Sequence, residues 1–163
     1  MQKNADPAFQ LENASWRDLG ELRALEKTCF GADAWPLLEL LGLLTFPGVV
    51  RLKAVAEGVM VGFISGDARR AEKTGWILTL GVLPHWRRRG VAMALLLECE
   101  RRLRMPQIKL TVRRSNTAAI RLYEKLGYQQ VDIWSKYYQG GEDGLVLAKQ
   151  MTQTSREESP ERA

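Results

Sequence analysis

The sequence predicts a mixed α/β domain in which one largely antiparallel sheet carries helices on both faces. Segments with the two-residue period of strands alternate with segments of helical period along most of the chain. Their order is strand, two helices, three strands, helix, strand, helix and two strands, which is typical of such a sheet. A length of 163 residues favours one domain with a substantial core.

A strand from Phe9 to Asn13 comes first. The helix behind it starts after Ser15, a good N-cap residue, and ends at Gly31. Its apolar face repeats at helical spacing in Leu19, Leu22, Leu25 and Cys29. Trp35 and Pro36 begin a second, shorter helix that runs to about Leu44.

Three strands follow the stop at Pro47 and Gly48. Residues 49–58 and 59–67 form a predicted hairpin that turns at Glu57 and Gly58. Residues 75–82, GWILTLGV, are almost continuously apolar, which predicts a central strand buried on both faces.

The second half of the domain begins at Pro84, which breaks the central strand. A helix over 90–104 is followed by a strand over 108–112 and a helix over 116–126 that ends at Gly127. Residues 128–138 and 144–151 are the final antiparallel pair, linked by QGGEDG. We expect a domain over 9–151, between a loose arm at 1–8 and a disordered tail at 152–163.

The composition is ordinary for a soluble protein and excludes several site classes. Lys and Arg outnumber Asp and Glu by 24 to 19, a mild excess that does not by itself indicate nucleic acid. Cys29 and Cys99 are too few for a disulfide framework or zinc cluster, and His85 is the single histidine. With so few candidate ligands we expect no metal site. The apolar run PLLELLGLLTF is too short to span a bilayer, and we expect a cytoplasmic protein.

A cluster of arginines stands where the central strand gives way to the next helix, in HWRRRG. Helix starts carry unpaired N–H groups, and a glycine lets a phosphate approach the backbone closely. The segment therefore predicts a cradle for a diphosphate, formed by Arg87, Arg88, Arg89 and Gly90. Two other interpretations stay open from these residues alone: a solvated basic helix start, and a contact with nucleic-acid phosphates.

Two motifs resemble those of the GNAT superfamily of acyl-CoA-dependent N-acetyltransferases. Residues 87–92, RRRGVA, match its acetyl-CoA loop, Q/R-x-x-G-x-G/A. A second match, N-x-x-A-x-x-L-Y-x-x-x-G-Y, is formed by Asn116, Ala119, Leu122, Tyr123, Gly127 and Tyr128. Within the superfamily the chain resembles RimI-type ribosomal-protein alanine acetyltransferases and other N-terminal protein acetyltransferases. That likeness lies in LRALEKTCFGADAW, WILTLGVLPHWRRRG and WSKYYQGGEDGLVLAKQM.

The resemblance implies a GNAT fold that binds acetyl-CoA. Such a sheet has about seven strands and about four helices, and its two central strands splay apart after the proline break. The backbone of Leu80 and Val82, left unpaired by the splay, would then pair with the pantetheine amides. The diphosphate would lie on N–H groups from about Arg88 to Ala92, including Val91, with charge supplied by the arginines. Asn116 would cap its helix and touch the cofactor.

The resemblance also implies roles in catalysis. The N–H of Val82 would polarise the thioester carbonyl, and Tyr123 would be the general acid; the alternative for Tyr123 is an aromatic on an apolar helix face. Tyr137 and Tyr138 would line an acceptor groove, or else pack as ordinary strand residues. Phe30 and Trp35 would form its other wall, or else belong to the core.

The chain departs from its relatives at the general base. Thr111 and Trp76 stand where relatives carry one, and neither is a base. Glu72, Asp33 and Glu142 are candidate replacements, each more often a solvated carboxylate, and His85 lies beside the phosphate loop.

The predicted activity is acetyl transfer to the N-terminal α-amine of a protein or peptide by direct attack. Such an amine has a pKa of about 7.7–8.0 against about 10.4 for lysine, so it needs only a weak base. A small amine or a lysine side chain as acceptor, and a non-catalytic acyl-CoA-binding module, are the alternatives. We expect a monomer or weak homodimer with no nucleic-acid or membrane partner.

Overall fold

The computed structural model describes residues 8–152, so the expected arm and tail lie outside the described residues apart from their innermost positions. The strands are β1 Gln10–Asn13, β2 Val49–Ala56, β3 Val59–Arg69, β4 Thr74–Val82, β5 Gln107–Arg113, β6 Gln129–Trp134 and β7 Gly144–Gln150. The helices are α1 Leu19–Phe30, α2 Leu37–Thr45, α3 Val91–Leu103 and α4 Thr117–Lys125.

Over these residues the strands form one seven-stranded sheet in the order β1-β2-β3-β4-β5-β7-β6. Every neighbouring pair is antiparallel except β4 and β5, which are parallel. A parallel pair needs a long crossover, and α3 supplies it. The mixed α/β sheet expected from the sequence is confirmed.

The sheet separates two apolar clusters. The larger cluster joins α3 and α4 to one face, with Leu95, Leu96 and Tyr128 among its buried members. The smaller cluster joins α1 and α2 to the other face around Leu25 and Phe63. Each face of the central strands is therefore covered, which explains the near-continuous apolarity of β4.

Two glycines of β3 allow α3 to lie close to the sheet. A Cβ at Gly62 would come within 2.9 Å of Val91, and one at Gly66 would come within 3.0 Å of Cys99 and Leu103. Any larger side chain would push the helix outward. Because α3 carries the arginine motif at its start, these glycines fix the height of that motif above the sheet.

The cap predicted at Ser15 is confirmed, whereas the strand predicted over 128–138 is shorter than expected. Ser15 accepts a hydrogen bond from Arg17 N, and its own N–H donates to Asp18 at 2.7 Å. The strand predicted over 128–138 ends at Trp134, because the chain turns through Lys136 at φ +52°. Tyr137 and Tyr138 therefore lie in the β6–β7 loop, and their interpretation as strand residues was wrong.

Among the described residues, every helix falls short of the length and apolarity that a membrane crossing requires.

The buried face of α3 provides a stability test. Leu95 is fully buried and Leu97, on the opposite face of the same helix, is 44% exposed. We expect Leu95→Ala to lower the free energy of unfolding by about 2–5 kcal/mol, since it leaves a cavity in the core. Denaturant unfolding would measure this, with Leu97→Ala as the matched control. Equal losses for the two variants would contradict the described packing.

Candidate functional site

The site begins where β4 and β5 separate. Only Thr74, Gly75 and Trp76 pair with β5, so the strands diverge from Ile77 onward. The divergence thus starts in the middle of β4, earlier than the proline break at which the sequence placed it. A bulge follows at once, because Ser65 pairs with Thr79 whereas Gly66 pairs with Ile77.

Beyond the bulge, β4 turns alternate backbone groups towards the gap. Leu83 N–H donates to Val61 O at 2.9 Å, and the register pairs Gly81 with Phe63. Along an antiparallel strand, the backbone N–H and C=O groups of successive residues point alternately to the two neighbouring strands. Those of Leu80 and Val82 therefore point away from β3, into the gap between β4 and β5. A ligand with amides can pair there as an added strand does.

The carbonyl of Val82 already has partners, contrary to the expectation that the splay leaves it unpaired. It accepts a hydrogen bond from Arg87 Nε at 3.1 Å and one from Cys29 Sγ at 3.4 Å. At Val82, therefore, the backbone N–H and not the carbonyl is available to bind a ligand.

The turn before α3 forms an open concave backbone. Arg88 and Gly90 both have positive φ, at +59° and +81°. Gly90 has no heavy atom within 4 Å of where its Cβ would stand. Since the first α3 hydrogen bond runs from Ala94 N to Gly90 O, the preceding N–H groups of the helix have no helical partner. Such a turn fits a diphosphate.

The three arginines differ in how they are held. Arg87 is fastened to Val82 O, Arg89 lies over the Trp86 ring at 4.8 Å, and Arg88 is exposed. His85 is exposed on the short 3-10 turn that precedes them. The charge of this segment is thus preplaced at the start of α3.

Helix α4 brings Tyr123 to the gap from the face of the sheet that α3 covers. Asn116 caps this helix as expected, since its side chain accepts from Ala119 N at 3.2 Å. Tyr123 is 8% exposed, and burial raises its pKa to about 12. The phenol therefore stays protonated at neutral pH. Its ring packs edge-on against Tyr128 at 5.7 Å.

Four aromatic residues lie on the opposite face of the sheet; we call Trp76, Trp134, Tyr137 and Tyr138 the aromatic row. Neighbouring rings in it are 4.9–5.7 Å apart. Tyr138 donates to Thr111 O at 3.1 Å, so its ring lies over β5. Burial raises the pKa of Tyr138, and the phenols of Tyr137 and Tyr123 raise it further. Two tyrosines thus approach β5 from opposite faces.

The other predicted wall residues take different positions. Phe30 packs on β4, 3.2 Å from where a Cβ of Gly81 would be. Trp35 packs against the smaller core cluster and, with Phe46 and Leu78, lines a groove between α2 and the sheet. Phe30 therefore adjoins the gap, whereas Trp35 belongs in part to the core.

Arg113, at the end of β5, ties together the two loops beside the gap; we call Arg113, Asp33 and Glu142 the clamp. Its Nε donates to Asp33 at 2.6 Å and its Nη1 donates to Glu142 at 2.5 Å. Asp33 also accepts from Gln139 N at 3.3 Å. The α1–α2 loop and the β6–β7 loop thereby meet on the face of the sheet that α1 and α2 cover. We call it the acceptor face, because the acceptor groove expected from the sequence would lie there.

None of the three candidate bases fits that role. Hydrogen bonds from Ser115 and Arg113 lower the pKa of Glu142 to about 2, and Asp33 is held by the same arginine. Glu72 precedes β4, at the opposite end of the strand from Val82. Trp76 and Thr111 lie as expected on β4 and β5, and the indole Nε1 of Trp76 is buried without a partner.

Sequence reasoning missed Glu26, which is 1% exposed on α1. Its carboxylate accepts from Thr79 Oγ1 at 2.7 Å and makes a longer contact of 3.4 Å with Trp35 N. Burial raises its pKa. The available signal was its place between Leu22 and Cys29 on the apolar face of the helix.

Within residues 8–152 there is no group of three or more His, Cys, Asp or Glu side chains able to hold a metal ion.

Comparison with known proteins shows the family to which the chain belongs. Residues 12–128 match the Acetyltransferase (GNAT) family. An N-alpha-acetyltransferase of Saccharolobus solfataricus is 26% identical, over 91% of this chain and 96% of the relative. The catalytic subunit of the N-terminal acetyltransferase A complex of Arabidopsis thaliana is 29% identical, over 86% and 77%.

Solved structures share the fold. The ribosomal-protein alanine N-acetyltransferase from Escherichia coli superposes with a TM-score of 0.81 at 22% identity, over 91% of this chain and 97% of that one. An Arabidopsis thaliana acetyltransferase in complex with acetyl-CoA gives 0.78 at 20% identity, over 88% and 98%.

The concave turn can be tested by a pair of glycine variants. Gly90 and Gly48 share φ +81° and open surroundings, but only Gly90 lies at the start of α3. We expect Gly90→Ala to weaken coenzyme A binding, because the left-handed turn is strained by a Cβ. Calorimetric titration with coenzyme A measures this. Gly48→Ala, with equal strain, should bind normally; equal weakening in both would contradict the cradle.

The clamp can be tested through the pKa of Glu142. Arg113→Ala should raise it from about 2 towards the ordinary value, and the Ser115 bonds should keep it from reaching that value. Carbon-13 NMR of the labelled carboxyl reports the titration. Because the folded-state pKa is lowered, the carboxylate stabilises its loop above about pH 4.3 and loses this effect as the pH falls towards 2.

Arg114 is the control for that experiment, since it is paired with Asp143 instead. Arg114→Ala should leave the titration of Glu142 unchanged. A shift of the same size in both variants would show that general surface charge, rather than the clamp, sets this pKa.

Proposed function

This chain belongs to the GNAT family of acetyltransferases, and on that premise we propose that it acetylates the N-terminal α-amine of a protein or peptide. Acetyl-CoA is the cofactor, and the reaction is acyl transfer to an amine. The observation that carries the choice of acceptor is the clamp, which joins the two loops over the acceptor face. A slender chain end would fit beside these joined loops. Two relatives named for N-terminal acetylation support this choice.

The residues present fit the coenzyme. The N–H groups from Arg88 to Ala92 would hold the diphosphate, with charge from the three arginines, and Asn116 would contact the cofactor from α4. The N–H groups of Val82 and then Leu80 would pair with the pantetheine arm. This order would direct the arm from the cradle towards the closed end of the gap, so the thioester would lie past Val82, near Leu80 and the bulge.

When bound, acetyl-CoA would bring an activated acyl group. The chain would polarise the thioester carbonyl and donate a proton to the leaving thiolate. A β4 N–H facing the gap would donate to the thioester carbonyl; Val82 was the expected donor, and the direction of the arm favours Leu80. Tyr123 would give its proton to the leaving thiolate, since burial keeps the phenol protonated at neutral pH. Phe30, Tyr137 and Tyr138 would flank the acceptor, and Trp35 would contribute from the groove under α2.

The chemistry of the amine favours an N-terminus. At neutral pH a lysine side chain is deprotonated roughly several hundred times less often than an α-amine, given their ordinary pKa values. A site without a strong carboxylate base at Thr111 or Trp76 suits the more easily deprotonated acceptor. We further propose a cytoplasmic, monomeric or weakly dimeric protein, a location supported by two free thiols.

A peptide panel tests the acceptor. Thiol release from acetyl-CoA is measured with peptides that carry a free α-amine. The control is the same peptides with a blocked N-terminus and an internal lysine, besides polyamines and free amino acids. We expect turnover with the free α-amine peptides. Turnover confined to small amines, or to blocked lysine peptides, would contradict the proposal.

The role of Tyr123 can be tested by Tyr123→Phe. Removing the hydroxyl should lower kcat by roughly 10²–10⁴-fold, the usual contribution of general acid catalysis. The affinity for acetyl-CoA, measured by calorimetry, should be unchanged, because the ring and its packing on Tyr128 remain. A parallel loss of affinity and turnover would assign Tyr123 to packing instead.

A further inference from the structure

Glu26 lies in a position where it can act as the proton acceptor. The expected positions, Thr111 and Trp76, carry no base. A carboxyl group in an apolar core is costly unless a cation pairs with it. Glu26 is 1% exposed, and its pKa is raised by burial and lowered only by neutral donors, the Thr79 hydroxyl and the Trp35 N–H. In the clamp, by contrast, Asp33 and Glu142 are both paired with the guanidinium of Arg113.

A second buried polar group lies beside it. Ser65 pairs with Thr79 across β3 and β4, and cross-strand partners share a face of the sheet. The Ser65 side chain is fully buried, and its hydroxyl has no hydrogen-bond partner. Glu26, Thr79 and Ser65 thus lie on the same face of the sheet, and the free Ser65 hydroxyl is a hydrogen-bonding group beside the Thr79–Glu26 contact.

These polar residues adjoin the predicted position of the thioester. Thr79 stands between Leu78, the extra residue of the bulge, and Leu80, whose N–H faces the gap. Cys29, one turn after Glu26 on α1, lies 3.4 Å from Val82 O. The face of α1 that carries Glu26 therefore covers the stretch of β4 along which the pantetheine arm would run.

We propose that Glu26, acting through the Thr79 hydroxyl, accepts the proton that the acceptor ammonium must lose. The ammonium gives a proton to Thr79 Oγ1 as Thr79 passes its own proton to the Glu26 carboxylate. The neutral amine then forms the C–N bond while the C–S bond breaks. Of the three ammonium protons, one goes to Thr79 as the Thr79 proton moves to Glu26, one replaces the proton that Tyr123 gives to the thiolate, and one stays in the amide.

The surroundings suit this task. A base works best when its pKa lies near the operating pH, and burial moves Glu26 in that direction. The groups that face it are the Cys29 thiol on α1, the Trp35 N–H before α2, Ser65 on β3 and Thr79 on β4. In the described part of the chain, no cation contributes to the pKa shift of Glu26; Arg87 acts on the Cys29 thiol instead, and its Nε donates to Val82 O.

The pH profile separates a proton acceptor from a structural contact. Glu26→Gln keeps the shape and the hydrogen-bond acceptor but cannot take a proton. With a peptide acceptor, its kcat/KM at pH 7 should fall roughly 10²–10⁴-fold. The deficit should close as the pH rises above the amine pKa of about 7.7–8.0, where the substrate arrives neutral. A constant deficit at every pH, or no deficit, would overturn the proposal.

Matched variants isolate the relay. Thr79→Val should reproduce the profile of Glu26→Gln, whereas Thr79→Ser, which keeps the hydroxyl, should restore most activity. Glu21→Gln is the control on the same helix, since Glu21 accepts from Met60 N at 2.8 Å and should leave the profile unchanged. A thermal shift with coenzyme A shows that each variant is folded. A wild-type profile for Thr79→Val would overturn the relay.

This inference rests on acetyl transfer but not on the acceptor, and a titration without acceptor keeps the two apart. Carbon-13 NMR should show one glutamate carboxyl titrating above its ordinary range and lost in Glu26→Gln. Titration of Glu26 in the ordinary range would overturn the relay even if peptides are acetylated. If the wild type acetylates only small amines, the proposed acceptor fails, and the pH profiles are measured with those amines.

Discussion

The parallel pairing of β4 with β5 ends after three residue pairs, and every other feature of the site depends on that early end. Backbone N–H and C=O groups inside a sheet are normally all paired. Here Leu80 and Val82 face a gap, so the sheet itself offers hydrogen bonds to an extended ligand. The bulge at Leu78 follows directly, β5 stays paired with β7 over Gln107–Arg113, and α3 connects the two strands with its positive start beside the gap.

The candidate functional groups lie on two different faces of the sheet. Tyr123 comes from the face that α3 and α4 cover, where the cradle also lies, and it keeps its proton because it is buried. The aromatic row, the clamp and Glu26 lie on the other face, where an amine would enter. In the proposed mechanism, this division would let Tyr123 act as the acid on one side of the gap and Glu26 as the proton acceptor on the other.

The sequence predicted what depends on local spacing and missed what depends on distant contacts. The glycine turn before α3, the Asn116 cap and the order of the elements along the chain follow from motifs and periodicity within short windows. The clamp joins Arg113 to Asp33 across 80 positions, and Glu26 meets Thr79 across 53. The strand over 128–138 was predicted too long, since nothing in its alternation marks the left-handed turn at Lys136.

Amide hydrogen exchange at β4, with and without acetyl-CoA, tests the central claim most directly. If the gap holds the pantetheine arm, the N–H groups of Leu80 and Val82 become protected when acetyl-CoA is added. The N–H of Gly81, which points towards β3, shows no such change. Protection confined to the arginine turn, with Leu80 and Val82 still exchanging freely, would contradict the account.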